Sequence, residues 1–290
     1  MKNTVVLLFS LALLVLFSCK DVTRKDIGEK EAKTLLIEAA TAYSIYSSTQ
    51  EEVAAAGFQS ENQLKIAYAQ EEEYPMITIV PSDASTWPKT ITVDYGLENV
   101  TGIDSHERRG KLVVTAPNFL SVAGTTWEIN FEDFYHDDNK VEGIQTIKFN
   151  GINSSDHQIY QCSVTDGKIT TPNAEVFYFE QQTSREWMNG YDTHYATSGE
   201  MADLCDDEYQ ITGTHNGISS DGYSYNISTS EALTVGVCCR WVKGGVLDVS
   251  IDDTILDCEI DYGPENDQED DCNNVASLSI FGVSVPVNLP

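Results

Sequence analysis

Apolar residues first recur with a helical period at Leu35, Ala39, Ala42, Tyr43 and Tyr46, while Glu29, Lys30, Glu31, Lys33 and Glu38 fall mostly elsewhere. That stripe predicts a helix over about residues 29–48. A weaker pattern over about 51–71 carries Ala54-Ala55-Ala56 and then Leu64, Ile66, Ala67 and Tyr68, with Gly57 dividing it. Glu71-Glu72-Glu73 and Pro75 close the helical zone, because proline removes a helix hydrogen bond and clashes with the preceding turn. After Pro75 the runs are short and β-branched, as in Met76 to Val80, Thr90 to Asp94, Lys111 to Thr115 and Thr126 to Phe131. Similar runs continue from Ile144 to Phe149 through to Ser277 to Val287. Gly, Asn, Asp or Pro bounds each run, and Asn150-Gly151, Asp166-Gly167, Asn216-Gly217, Asp221-Gly222 and Gly244-Gly245 are turn signals. No helical pattern alternates with the strands, which excludes βαβ folds. The expected class is mainly β: an antiparallel meander of roughly 13 to 16 strands, as a sandwich or as stacked or curved sheets, behind an N-terminal helical segment.

The one long apolar run lies at the start. Lys2 precedes Val5 to Phe17, which only Ser10 interrupts, and Ser18-Cys19 follow. Thirteen residues of helix reach roughly 20 Å, short of a ~30 Å hydrocarbon core, so the run reads as a signal-peptide core. Leu16-Phe17-Ser18-Cys19 resembles the lipobox of bacterial lipoproteins, whose cysteine is lipidated and becomes the first residue of the mature chain. Phe17 departs from the small or aliphatic residue usual at its position. The expected organisation is a signal peptide (1–18), a lipid-anchored tether with the helical segment (19–75) and a β body (76–290).

Charge and cysteine content narrow the class further. A formal charge of −29 disfavours nucleic acid and anionic membrane surfaces as partners. The acids are spread along the chain and apolar residues make up 41%, which reads as an acidic exterior around a real core. With Cys19 assigned to lipid, Cys162, Cys205, Cys238, Cys239, Cys258 and Cys272 remain. Six cysteines in an exported chain allow up to three disulfides with 15 connectivities. Zinc would prefer tight C-x-x-C pairs, whereas Cys238-Cys239 are adjacent and the others widely spaced. Cys238 and Cys239 are expected to take different partners.

Two echoes suggest a degenerate duplication, roughly 76–180 and 181–290. Val93-Asp-Tyr-Gly-Leu-Glu-Asn99 matches Ile260-Asp-Tyr-Gly-Pro-Glu-Asn266, and more weakly Val141-Glu-Gly143 and Asn150-Gly-Ile152 pair with Ile211-Thr-Gly213 and Asn216-Gly-Ile218. The order Trp87 to Gly96, Arg108-Arg-Gly-Lys-Leu112, Val141-Glu-Gly143, Tyr209-Gln-Ile-Thr-Gly213, Cys239-Arg-Trp241, Asp261-Tyr-Gly263 and Cys272-Asn-Asn274 resembles an uncharacterised group of Bacteroidota lipoproteins. The resemblance covers about 85–290 and implies an envelope lipoprotein with a β-rich body. It brings no catalytic residues, and it implies a Cys239–Cys272 disulfide. The group usually shows Gly then Cys-Asp-Asn in the last loop, where this chain has Glu265 to Asp271 before Cys272. Cys162, Cys205, Cys238 and Cys258 lie outside the shared motifs.

Candidate chemistry is sparse. Asp267, Glu269 and Asp271, with Asp261, are the calcium candidates, yet the loop lacks the turn glycine and terminal glutamate of an EF-hand and reads first as a solvated acidic loop. There is no G-x-S-x-G, no H-E-x-x-H and no phosphate-cradling glycine loop. His106, His136, His157, His194 and His215 sit in polar surroundings and read as surface residues. Trp87, Trp127, Trp187 and Trp241, with Tyr178, Tyr191, Tyr195, Tyr223 and Tyr225, are the material for a sugar platform, although strand alternation makes most of them core. Arg185 near Trp187 and Arg240 beside Trp241 suggest arginine–tryptophan stacks. Asp253-Thr254-Ile255 resembles the O-glycosylation sequon of the same phylum. The expectation is a non-enzymatic, lipid-anchored envelope protein without a cofactor, calcium apart, with a glycan or an envelope protein as partner. A surface glycan-binding module is the alternative, and a hydrolase of unfamiliar type comes third.

Overall fold

A computed structural model describes residues 27–65, 75–83, 85–102, 104–193, 205–254, 257–263, 272–280 and 282–289. Among the described residues a single helix, α1 (Glu29–Lys65), precedes the strands. They are β1 (Met76–Val80), β2 (Lys89–Asp94), β3 (Val100–Thr101), β4 (Glu107–Ala116), β5 (Thr126–His136), β6 (Asn139–Ile152) and β7 (Gln158–Thr170). The second half continues with β8 (Val176–Asn189), β9 (Glu208–Ile218), β10 (Ser224–Gly236), β11 (Gly244–Ile251), β12 (Asp257–Asp261), β13 (Val275–Ile280) and β14 (Val283–Asn288). All pairings are antiparallel and follow chain order in one meander sheet, with β3 alone standing off the path beside β4. The sheet does not close into a barrel.

The helix is the centre of the core. Ala32, Leu35, Leu36, Ala39, Ala40, Ala42, Tyr43, Ile45 and Tyr46 are all buried and surround most of its circumference, the mark of an enclosed helix. Tyr46 stacks on Phe179 of β8 at 5.5 Å and meets Phe131 of β5 edge-on at 5.8 Å, while Tyr43 meets His215 of β9 at 5.1 Å. A flat sheet could not bring strands so far apart in its order onto one helix, so the sheet curves around it. Two glycines mark where it bends. Gly110 and Gly143 have φ of 87° and 126° and lie at register shifts between β4 and β5 and between β6 and β7. A Cβ on Gly110 would stand 2.1 Å from the Asp133 carbonyl oxygen, so only glycine fits this bulge.

Three expectations change here. The helical zone is one helix and not two, because Gly57 is a contact residue: its missing Cβ would lie 2.3 Å from the Trp127 ring. The helix is also no separate segment before the body, since its side chains share one core cluster with the sheet. Finally, the division at 180/181 falls inside β8, so the two halves share a strand. The Asp-Tyr-Gly echo is a local device. Gly96 N–H donates to Asp94 and Gly263 N–H to Asp261, both at 2.9 Å, and Tyr95 and Tyr262 are both buried. Yet Tyr95 N–H pairs with Gly110 of the following strand and Tyr262 N–H with Gly245 of the preceding one.

The cysteines divide into two classes. Cys205 pairs with Cys238 and Cys239 with Cys272, at Cα separations of 4.9 and 5.6 Å within the usual disulfide range. Adjacent cysteines with different partners are thus found, and so is the Cys239–Cys272 pair. A third disulfide is not: Cys162 and Cys258 are buried outside the two bridges, and burial pushes the Cys162 thiol up to about 12.

Candidate functional site

The β5–β6 hairpin turns on Asp137 and Asp138, whose φ angles of 46° and 61° suit a type I′ turn that favours Asp, Asn and Gly. This turn sets His136 at the last position of β5 and Asp137 directly beyond it. His106 stands just before β4, across from them, and its ring lies 4.4 Å from that of His136. His106 Nδ1 is 2.6 Å from Asp137 Oδ2, and His106 Nε2 is 3.1 Å from the Arg240 carbonyl oxygen. Asp137 Oδ1 accepts from Glu107 N–H at 2.9 Å, and Arg240 Nη2 donates to Oδ2 at 3.0 Å. Ser48 of α1 contacts His136 Nε2 at 3.0 Å. The ligand-type atoms of His106, His136 and Asp137 all lie within 4.8 Å of one another.

A cavity of about 140 Å³ opens beside this group, between Ser44 of α1, the two histidines, Asp137 and the Arg240-Trp241 loop. It has room for several waters but falls well below the ~300 Å³ usual for small-molecule pockets. The two disulfides anchor the loop: Cys238 and Cys239 lead into Arg240 and are tied to the segments before β9 and β13. Arg240 Nη1 also donates to Ser105 O at 2.9 Å, which holds the loop against the β4 entry.

Behind the cavity lies a buried ion cluster. Arg108, fully buried, donates to both Asp104 oxygens and to Ser48 Oγ, and lies 3.4 Å from Glu52 of α1. Tyr95 O–H donates to Glu52 at 3.0 Å. Burial works against the charged form of Asp104, but the Arg108 bonds outweigh it and hold the carboxyl below its ordinary range. Burial also dominates at Glu52 and raises it despite Arg108. At His136 burial, then the Arg108 charge, pushes the ring well below the ordinary histidine value. At Asp137 burial is outweighed by the His106 and Glu107 hydrogen bonds, so its carboxyl is held low. A second arginine, Arg185, pairs with Glu51, donates to Gln50 at 3.1 Å and lies over the Tyr209 ring at 4.6 Å.

Several expected placements do not hold. His106, His136 and His215 are buried rather than on the surface, because their polar neighbours are themselves buried in ion pairs and turns. His215 packs between Tyr43 and Phe179, and burial lowers it to about 4. His157 does lie near the surface, 2.7 Å from Glu186, and His194 falls outside the described residues. Arg185 stacks on Tyr209 and not on Trp187, whereas Arg240 sits 6.0 Å from the Trp241 ring. Trp127, Trp187 and Tyr225 are core, which removes them from any sugar platform. Thr254 O–H donates to Ile251 O at 2.8 Å within a turn. Of the calcium candidates, Asp261 serves as the turn acceptor for Gly263, and Asp267, Glu269 and Asp271 lie outside the described residues, as does Cys19. The His106–His136–Asp137 group is absent from the sequence expectations. Its one legible signal is the Asp137-Asp138 pair, a hairpin turn that would have aligned His136 with Asn139.

No protein family, no curated protein and no solved structure matches the chain. The geometry therefore stands alone.

Proposed function

We propose that this chain is a lipid-anchored protein of the cell envelope whose β body has a binding or structural role without catalysis. The observation that carries the reading is Leu16-Phe17-Ser18-Cys19 at the end of a short apolar run, ahead of a body with two disulfides. Disulfides suit an exported, oxidising location. The anchor proposed is lipid on Cys19, and among the described residues no helix is long and apolar enough to cross a bilayer. Several acyl chains at ~0.8 kcal/mol per buried methylene make such an attachment stable.

Ser48, His136 and Asp137 are ordered like a nucleophile, a base and an acid, which is the observation favouring a hydrolase as second reading. Two features weigh against it. Ser48 Oγ also lies 3.1 Å from Asp104 Oδ2, a carboxylate that competes with His136 for its one proton. His136 Nδ1 is also 3.7 Å from Asp137, beyond a hydrogen bond. The glycan reading is weakened by the loss of Trp127 and Trp187 to the core.

Replacing Cys19→Ala in the native host tests the anchor. The expected result is loss of the protein from the carbonate-washed membrane fraction and its appearance in the soluble fraction. A variant that stays in the membrane as fully as the wild type would sink the proposal.

A further inference from the structure

We infer that His106, His136 and Asp137 bind a divalent first-row transition metal, with zinc as the expected ion. This goes beyond the envelope role and does not rest on the anchor. Ser48 Oγ accepts from Arg108 Nη2 and lies 3.1 Å from Asp104 Oδ2 and 3.0 Å from His136 Nε2, so the Nε2 side of the ring is occupied. His136 Nδ1 faces the other way. It is buried on a ring only 1% exposed, has no hydrogen-bond donor, and lies 3.7 Å from the carboxylate oxygen Asp137 Oδ2. A buried ring nitrogen without a partner, beside a carboxylate oxygen that already holds Arg240, is an opening for a metal cation.

His106 is turned the same way: its Nε2 faces the Arg240 carbonyl and its Nδ1 lies 2.6 Å from the same Asp137 Oδ2. Both histidines thus turn Nδ1 inward with an oxygen beside Nε2, and Glu107 N–H fixes the other oxygen of Asp137. Such outer partners orient metal ligands and fix their tautomers. Two ring nitrogens and one carboxylate are the donor set of zinc and its neighbours, whereas calcium wants six or more oxygens. Bonds of ~2.0–2.2 Å place ligand atoms about 3–4 Å apart around one ion, close to the spread found here. Binding replaces the His106 Nδ1 contact to Asp137 Oδ2 with a bond from each group to the ion. It also breaks the Arg240 Nη2 bond to Oδ2, and the adjoining cavity admits water to the remaining coordination positions.

The test is calorimetric titration of zinc into the chelator-treated, disulfide-intact full chain, with circular dichroism to verify folding of each variant. The expected result is one zinc per chain, weakened about 100-fold or more by His136→Gln and by Asp137→Asn. Arg240→Gln removes the competitor for Asp137 Oδ2 and keeps the carbonyl that holds His106, so its zinc affinity should rise several-fold. No zinc binding at micromolar concentration would overturn the inference. So would zinc affinity left intact in both His136→Gln and Asp137→Asn, or unchanged or lowered in Arg240→Gln.

Discussion

Arg108→Met is expected to destabilise the fold by about 3–5 kcal/mol. Methionine roughly fills the space, so the loss does not come from a cavity. It comes from Asp104 and Glu52, which would remain in the core without the guanidinium that neutralises both. Asp104 is 5% exposed and has nowhere to find water in exchange. The effect spreads because Arg108 also donates to Ser48, linking α1 to β4. Urea unfolding followed by tryptophan fluorescence reads the change. A loss below about 1 kcal/mol would show that water reaches the cluster and that the arginine is not needed to hold it. Adding Asp104→Asn and Glu52→Gln to Arg108→Met should restore part of the lost stability, since the charges left unpaired are then removed.

Asp207→Asn is expected to act in the opposite direction, by an amount that grows as the pH rises from about 4 to about 8. Asp207 is 1% exposed, and burial, helped by the neighbouring charge of Asp206, pushes its carboxyl up to about 8 against the Trp187 hydrogen bond. In the unfolded chain the same group loses its proton near 3.8. Between those values the folded state holds the extra proton. The contribution of Asp207 to stability is thus full below about pH 4 and is lost as pH rises through 8. At 1.36 kcal/mol per unit the loss is several kcal/mol, with ~6 as the upper bound. Asparagine keeps an acceptor for the indole and has no charge to bury. The variant should match the wild type near pH 4 and exceed it by several kcal/mol at pH 8. Denaturation curves at the two pH values decide the matter, and parallel behaviour of the two proteins would refute the account of Asp207.

The β body was legible because its strands carry period and punctuation that backbone chemistry requires. Two of the bend points lie in short glycine motifs of the sequence: Gly110 in Arg108-Arg-Gly110 and Gly143 in Val141-Glu-Gly143. The curvature itself was not legible, since register shifts are set by which neighbour a glycine must admit. Gly57 shows the same limit, because a glycine that admits a tryptophan ring from 70 residues away looks locally like a helix break. The site was hidden for an electrostatic reason. His106 and His136 stand among Asp104, Glu107, Arg108, Asp137 and Asp138, a string that reads as solvated surface. Only the pairing of Arg108 with Asp104 and Glu52 allows that string to turn inward. Cys162 and Cys258 were likewise indistinguishable from bridge-forming cysteines, because burial of a thiol leaves no mark on sequence spacing.

Were Cys19 the lipid anchor, as proposed, the enclosure of α1 by the sheet would leave only the short stretch before Glu29 as a spacer and would hold the body close to the membrane surface. The most direct measurement is mass spectrometry of the N-terminal peptide of the protein isolated from its native membrane. The account predicts that Cys19 is the first residue and carries acyl chains. An unmodified Cys19, or a mature chain that begins elsewhere, would contradict it.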